Sequence, residues 1–400
     1  MKNELRLLKN NWVDYFSVVI FALGSGFVLL LQIYFHEVFH YSVLQAAIIL
    51  GAAGSGQLIG SFCANFYLKL IKHLFHAYKV TARSATRCSL MLLSAATTIL
   101  FILFTMNSYY LPFVFISFLL GITLSLFYPI IQSVLFENLS VSQAVAASSL
   151  KRLALNLGVG VSLTLISFVT HHPKILFLSI ACLMLIPTLL FLSQLTKHSI
   201  FDSDDKTIKA SNKFSLKFSK PIILWGITIF LGTAIFFQTI SVYPMYLHDY
   251  YGIDTALFGR LMLINIFMVL AFQFVAPLVE RKLGIHFISA LGMGIMSVGI
   301  GMVLFHSFSI VILSFVIWSI GEIFYLGMIT VYIKMFSIND PQKSLIYSSY
   351  YFFLFYLGKT LGPILGSLAY VHLQDKNIAL IVIIIIGLLG MLPFLWLRDT

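Results

Sequence analysis

Long apolar runs, each interrupted by a few polar or glycine positions, recur from one end of this chain to the other. Windows long enough to cross a hydrocarbon layer of ~30 Å start near residues 13, 43, 88, 109, 147, 174, 221, 255, 286, 308, 344 and 378. This pattern predicts an all-α integral membrane protein with twelve transmembrane helices. The opening stretch MKNELRLLKNNW runs into the first window without a small-residue cleavage site, and predicts an uncleaved first helix. One long polar segment, 196–220, carries both charge signs and reads as a cytoplasmic linker. It divides the chain into two six-helix bundles, 1–195 and 221–400.

Composition sharpens the class. Of the 400 residues 60% are hydrophobic and 10% charged, and the mean hydropathy is +0.98. A soluble chain carries about a quarter charged residues, so this one lacks the polar groups to cover a surface in water. The three cysteines, Cys63, Cys88 and Cys182, lie inside apolar runs without metal or redox spacing and read as small buried hydrophobes. A net charge of +11 raises nucleic acid as a partner, but no basic-aromatic patch or reading motif accompanies it. Topology accounts for the charge instead. With the N-terminus inside, 21 Lys and Arg fall in inner segments and three (Lys174, Arg260, Lys376) in outer loops. That asymmetry predicts a multi-pass protein of the cell membrane with both termini cytoplasmic.

The halves resemble one another. YFHEVFHYS at 34–42 matches YLHDYYGID at 246–254 with an offset of 212; Gly121 matches Gly321 and NLGVGVSLTLIS at 156–167 matches YLGKTLGPILGS at 356–367 with an offset of 200. Collinear matches across two sets of six spans predict duplication, one of the recurring transporter plans.

Three stretches of the second half stand out: Pro277 to Gly284 (PLVERKLG), Trp318-Ser319-Ile320-Gly321-Glu322, and Gly358-x-x-x-Gly362-Pro363-x-x-Gly366 in the eleventh span. The first is similar to the acid-Arg-x-Gly loop of the major facilitator superfamily, and the second resembles the Gly-Glu of some of its exporters. The third is similar to the antiporter signature, which the family carries in the fifth span. The second half thus resembles the twelve-helix drug:proton antiporter branch. The first half departs from the pattern. Gly60 to Asn65 lacks the loop acid, Ser117 stands where an arginine would precede Gly121, and Ser162-Leu163 replaces Gly-Pro after Arg152, Asn156, Gly158 and Gly160. The resemblance implies the major facilitator fold, a monomer, and a cavity lined by spans 1, 4, 7 and 10.

Glu322 is the sharpest chemical signal: a carboxylate deep in an apolar run, where ionisation is costly without water or a partner. It is the candidate proton-coupling group, the alternative being a fixed ion pair. Lys359 could pair with Glu322, bind an anionic substrate, or snorkel. Gln32, Tyr128, Gln238, Tyr243, Trp318 and Tyr325 are candidates for the substrate cavity, as are Asn156 and Asn265, which could instead bond neighbouring helices. Glu280, Arg281 and Lys282, with Arg152, form a candidate gating latch, following the resemblance; the three loop charges could instead be ordinary solvated ones. His36, Glu37, His40, His248 and Asp249 could make a pH-sensitive outer gate or a metal site if both halves meet there, or read as solvated loop residues. Asp14 suits a helix N-terminus.

These features predict a proton-coupled exporter of a small organic molecule that works by alternating access. Its partners are the substrate, protons and the bilayer, and no motif calls for a cofactor or a metal. Uptake of a nutrient or metabolite by symport is the alternative. No carbonyl-filter motif, Walker loop or catalytic signature such as HExxH or GxSxG is present, so a channel, an ATP-driven pump and an enzyme are all disfavoured.

Overall fold

In a bilayer every backbone N–H and C=O must be satisfied within the protein, so apolar runs of this length fold as helices. The structure, a computed structural model, describes residues 11–76, 82–107, 109–137, 139–169, 173–197, 219–253, 255–338, 343–373 and 375–397. The side chains of 27–38, 43–44, 46–47, 75–76, 82–83, 163–169, 173, 196–197, 255–256 and 395 fall outside that description. Gln32, His36 and Glu37 of the expected sites, and nearly all of the 196–220 linker, therefore lie outside it.

The first six rods are α1 (Trp12–Val38), α2 (Val43–His76), α3 (Ala82–Met106), α4 (Tyr110–Phe136), α5 (Val141–Val169) and α6 (Pro173–Lys197). Four of the next six are broken. α7 (Lys220–Phe236) passes through a 3-10 turn, Phe237–Ile240, into α8 (Val242–Tyr251). α9 (Thr255–Phe272) bends by 63° into α10 (Val275–Leu283). α11 (Ile285–Gly301) ends in the 3-10 turn Met302–Phe305, and α12 (Phe308–Met328) continues as α13 (Val331–Ser337). α14 (Lys343–His372) is continuous, and α15 (Lys376–Leu389) is followed by α16 (Leu392–Leu397).

Among the described residues nine rods are long and apolar enough to span, and the bent α9–α10 pair makes a tenth. α1 and α5, whose side chains are described only in part, complete the twelve. Each rod begins within six residues of its predicted start.

The chain divides into two compact units. The first holds Met1–Asn138, Ala154–Leu216 and Asn339–Phe353; the second holds Leu139–Leu153, Lys217–Ile338 and Leu354–Thr400. The divisions inside α5 and α14 fall at equivalent positions of the 200-residue repeat. In the first unit, Gly56 and Gly60 of α2 face Phe118 and Ile122 of α4, and Gly121 faces Ala53, with a Cβ at each meeting backbone or the Ser125 hydroxyl. Small residues let the two backbones approach closely.

The repeat is visible in packing. Gly158 of α5 meets Val19 and Ala22 of α1, and Gly358 and Gly362 of α14 meet Phe230 and Ala234 of α7. Ala22 and Ala234 stand 212 apart, the offset read from the sequence. The Gly358, Gly362, Gly366 stripe is thus a seam against α7.

Asp14 does more than favour a helix N-terminus. It is 1% exposed and pairs with Arg87 of α3, whose Nη2 also donates to Oδ2 at 3.1 Å; the guanidinium carbon lies 5.9 Å from the Phe191 ring of α6. The pair ties three helices together. Asp14→Asn is expected to cost about 2 kcal/mol, less than a fully buried pair because Arg87 reaches solvent, read as a lowered Tm in detergent. Of the cysteines, Cys88 is buried and Cys63 intermediate, but Cys182 is exposed on α6, which corrects the expectation for that residue. In a chain solvated by lipid, an exposed helix face is also apolar.

Candidate functional site

Glu322 is carried by α12 and belongs to the second unit. It is fully buried, and both carboxylate oxygens are engaged. Oε1 accepts from Nη2 of Arg152, contributed by α5, and Oε2 accepts from the Asn265 amide of α9 at 2.6 Å. Asn265 also donates to Ser319 Oγ at 3.0 Å, and Ser319 donates to the Phe315 carbonyl. At 1.5 Å rise per residue, Glu322 and Arg152 each lie roughly 17–26 Å from either end of their spans. A charge at that depth requires an opposite charge and hydrogen bonds, and this network supplies both.

Sequence reasoning offered Lys359 as the partner of Glu322 and assigned Arg152 to a latch; the structure gives the guanidinium that role. The charge count places Arg152 and Lys151 in an inner segment; the structure sets both inside α5, and nothing in the sequence selects Arg152 over Lys359. The guanidinium carbon of Arg152 lies 5.6 Å from the Phe236 ring. Lys359 Nζ lies 5.7 Å from the rings of both Phe237 and Tyr356. Phe236 and Phe237 are themselves in edge contact at 5.1 Å, where α7 gives way to the 3-10 turn. Two deep cations thus flank one aromatic pair at a helix break.

The expected cavity residues have other attachments. Tyr325 donates to the Thr228 carbonyl at 2.6 Å and fills space left by Gly232. Gln238 donates to the Gly362 carbonyl at 2.7 Å and accepts from Ser241 at 3.0 Å. Tyr243 bonds Ser314 at 2.7 Å, and its ring and that of Trp318 pack on Phe315. In the first unit, Tyr128 bonds Ser25 at 2.9 Å and stacks near Phe352. All five are buried. The polar atoms of Tyr128, Gln238, Tyr243 and Tyr325 satisfy carbonyls and hydroxyls of neighbouring helices, whereas Trp318 Nε1 has no hydrogen-bond partner among the described residues.

The break between α12 and α13 is satisfied in the same way. Trp225 Nε1 donates to the Ile329 carbonyl at 3.1 Å, and Ser148 of α5 donates to the Gly327 carbonyl at 2.6 Å. Of the latch residues, Glu280 is half-buried, Arg281 and Lys282 are exposed, and none forms an ion pair among the described residues. At the other end of the second unit, Asp249 accepts from Lys376 and from Tyr370 at 2.9 Å, with His248 at 3.3 Å. Asp249 therefore fastens α8 to α14 and α15.

A helical, multi-pass membrane protein with an ion-paired carboxylate in mid-span and broken spans around it belongs to the class of secondary transporters. The sequence profile of the Major Facilitator Superfamily matches residues 15–337, and the chain belongs to that superfamily. No curated protein matches the sequence. Among solved structures, the fold is similar to FucP, a major facilitator transporter in the outward conformation, with TM-score 0.76 and 14% identity over 98% of this chain and 100% of that one. It is also similar to a bacterial homologue of the iron transporter ferroportin in an outward-facing state, with TM-score 0.72 and 14% identity over the whole of both chains. The human organic anion transporter MFSD10 gives 0.71 and 12% over 98% and 99%.

Proposed function

We propose that the protein is a proton-coupled secondary transporter that moves a small organic molecule by alternating access, with Glu322 taking up and releasing the proton. The observation that carries this reading is the buried Glu322 carboxylate held between Arg152 and Asn265. Protonation removes the charge, weakens the hold on Arg152 and changes the preferred arrangement of α5 against α12. Lys359, the other deep cation, belongs to the same chemistry. Membership of the superfamily supports transport in general.

Direction has two readings. Export by proton antiport is supported by the similarity of Gly358 to Gly366 to the antiporter signature. Proton symport is supported by a different observation. The partner of the acid is a guanidinium, so an anion that takes Arg152 leaves Glu322 to be protonated. Anion and proton then load together. A cell-membrane location with cytoplasmic termini and a monomer complete the proposal.

The test uses purified protein in liposomes with an internal pH dye and a panel of organic solutes. Some solute is expected to drive proton flux in the wild type, inward with the solute for symport and against it for antiport. In Glu322→Gln the solute is expected to exchange across the membrane without moving protons. Equal proton flux in both proteins would sink the assignment of Glu322.

A further inference from the structure

We infer that α10 is an interfacial helix that holds an anionic phospholipid against the protein, with Arg281 and Lys282 on the lipid phosphate and Leu278 and Leu283 among the acyl chains. Its place in the fold points to the membrane boundary. α9 has 18 residues, about 27 Å of helix, and by itself nearly crosses a hydrocarbon layer of ~30 Å. The chain then bends by 63° at Gln273 and Phe274 into α10. Pro277 has no N–H to offer the Gln273 carbonyl four positions back, so the helical ladder is interrupted there. α10 ends after nine residues at Gly284, whose φ of +79° turns the chain directly into α11. A helix bent that far from a span of nearly full length runs more along the boundary than across it.

The side chains of α10 are sorted to match. Ala276 and Pro277 are buried and Glu280 is half-buried, whereas Val275, Leu278, Arg281, Lys282 and Leu283 are exposed. With the acid turned inward and both cations outward, the outer face is apolar and carries two positive charges. This is the make-up of a helix lying between acyl chains and headgroups, where long basic side chains keep their stems in the apolar region and their charges at headgroup level.

Charge complementarity selects the lipid. Neither Arg281 nor Lys282 forms an ion pair among the described residues. A guanidinium presents a planar fork that matches phosphate oxygens, and an ammonium adds a point charge. The exposed leucines beside them favour a phosphate that carries acyl chains over phosphate free in solution. With the cytoplasmic termini proposed above, this boundary faces the leaflet rich in anionic lipid.

The test counts lipids retained by the purified full chain in native mass spectrometry, after incubation in detergent with equal amounts of phosphatidylglycerol and phosphatidylcholine. Each basic group at a membrane surface is worth about fivefold in affinity, so two give roughly twentyfold. Wild type is expected to prefer phosphatidylglycerol at least tenfold, and Arg281→Gln/Lys282→Gln to lose at least tenfold of that preference. Arg281→Lys/Lys282→Arg should keep most of it, which separates lost charge from lost folding. Lys69→Gln/Lys220→Gln removes two exposed cations from α2 and α7 and should leave the preference within twofold of wild type. Glycerol phosphate, which has the headgroup chemistry without acyl chains, should not be retained. Equal retention of the two lipids by wild type, an unchanged preference in Arg281→Gln/Lys282→Gln, or an equal loss in Lys69→Gln/Lys220→Gln would overturn the inference. So would retention of glycerol phosphate in place of lipid. The lipid count does not depend on sidedness, so any of these failures leaves the proposed orientation untouched.

Discussion

Replacing Arg152 by leucine is expected to abolish transport and to lower stability by about 3–5 kcal/mol, the cost of leaving a buried carboxylate without its cation. Glu322 is 1% exposed, and Asn265 supplies one hydrogen bond but no charge. The variant keeps a buried carboxylate without a cation. The double variant Arg152→Leu/Glu322→Leu removes both charges and is expected to recover most of the stability while remaining inactive. Melting curves of the three proteins in detergent, with flux measured in liposomes, check this. A single variant as stable as the double one would mean that the pair does not hold α5 to α12.

Valine at Gly299 or Gly321 is expected to cost about 1–3 kcal/mol and at least tenfold in transport. The α11–α12 seam has no room for a side chain. A Cβ at Gly292 meets the Tyr325 amide, one at Gly299 meets the Trp318 backbone, and one at Gly321 meets the Met296 backbone. The obstruction is backbone in each case, so the helices must separate, and α12 carries Glu322. Gly259 on α9 is the control: nothing lies within 4 Å of its Cβ position, and Gly259→Val is expected to leave transport within error of wild type and to change stability by less than ~1 kcal/mol, the helix-propensity difference alone. Equal effects at Gly299 and Gly259 would show that helix propensity, not the seam, sets the result.

The places where helices begin were legible because hydrophobic length is a local property, and each rod starts within six residues of its window. The duplication was legible too, and the pairs Gly158–Ala22 and Gly358–Ala234 give it a packing basis. Glu322 stood out because a carboxylate in an apolar run is conspicuous in one sequence. Its partner did not, since Arg152 lies 170 positions away and nothing local selects it over Lys359. Asp14 and Arg87, 73 positions apart, were hidden for the same reason. Tyr325 and Gln238 read as cavity-lining because the sequence displays their polarity. It does not display that Thr228 and Gly362 present carbonyls within their reach.

The separation of Arg152 from Glu322 has a consequence for biosynthesis. At roughly 5–20 residues per second, about 10–35 s pass between synthesis of the arginine and of the glutamate that neutralises it. Throughout that interval α5 carries a guanidinium some 17 Å from the nearer end of its helix while Glu322 is still to be made. Anything that stalls translation between the two codons leaves a chain whose fifth span is poorly anchored in lipid and open to membrane quality-control proteases.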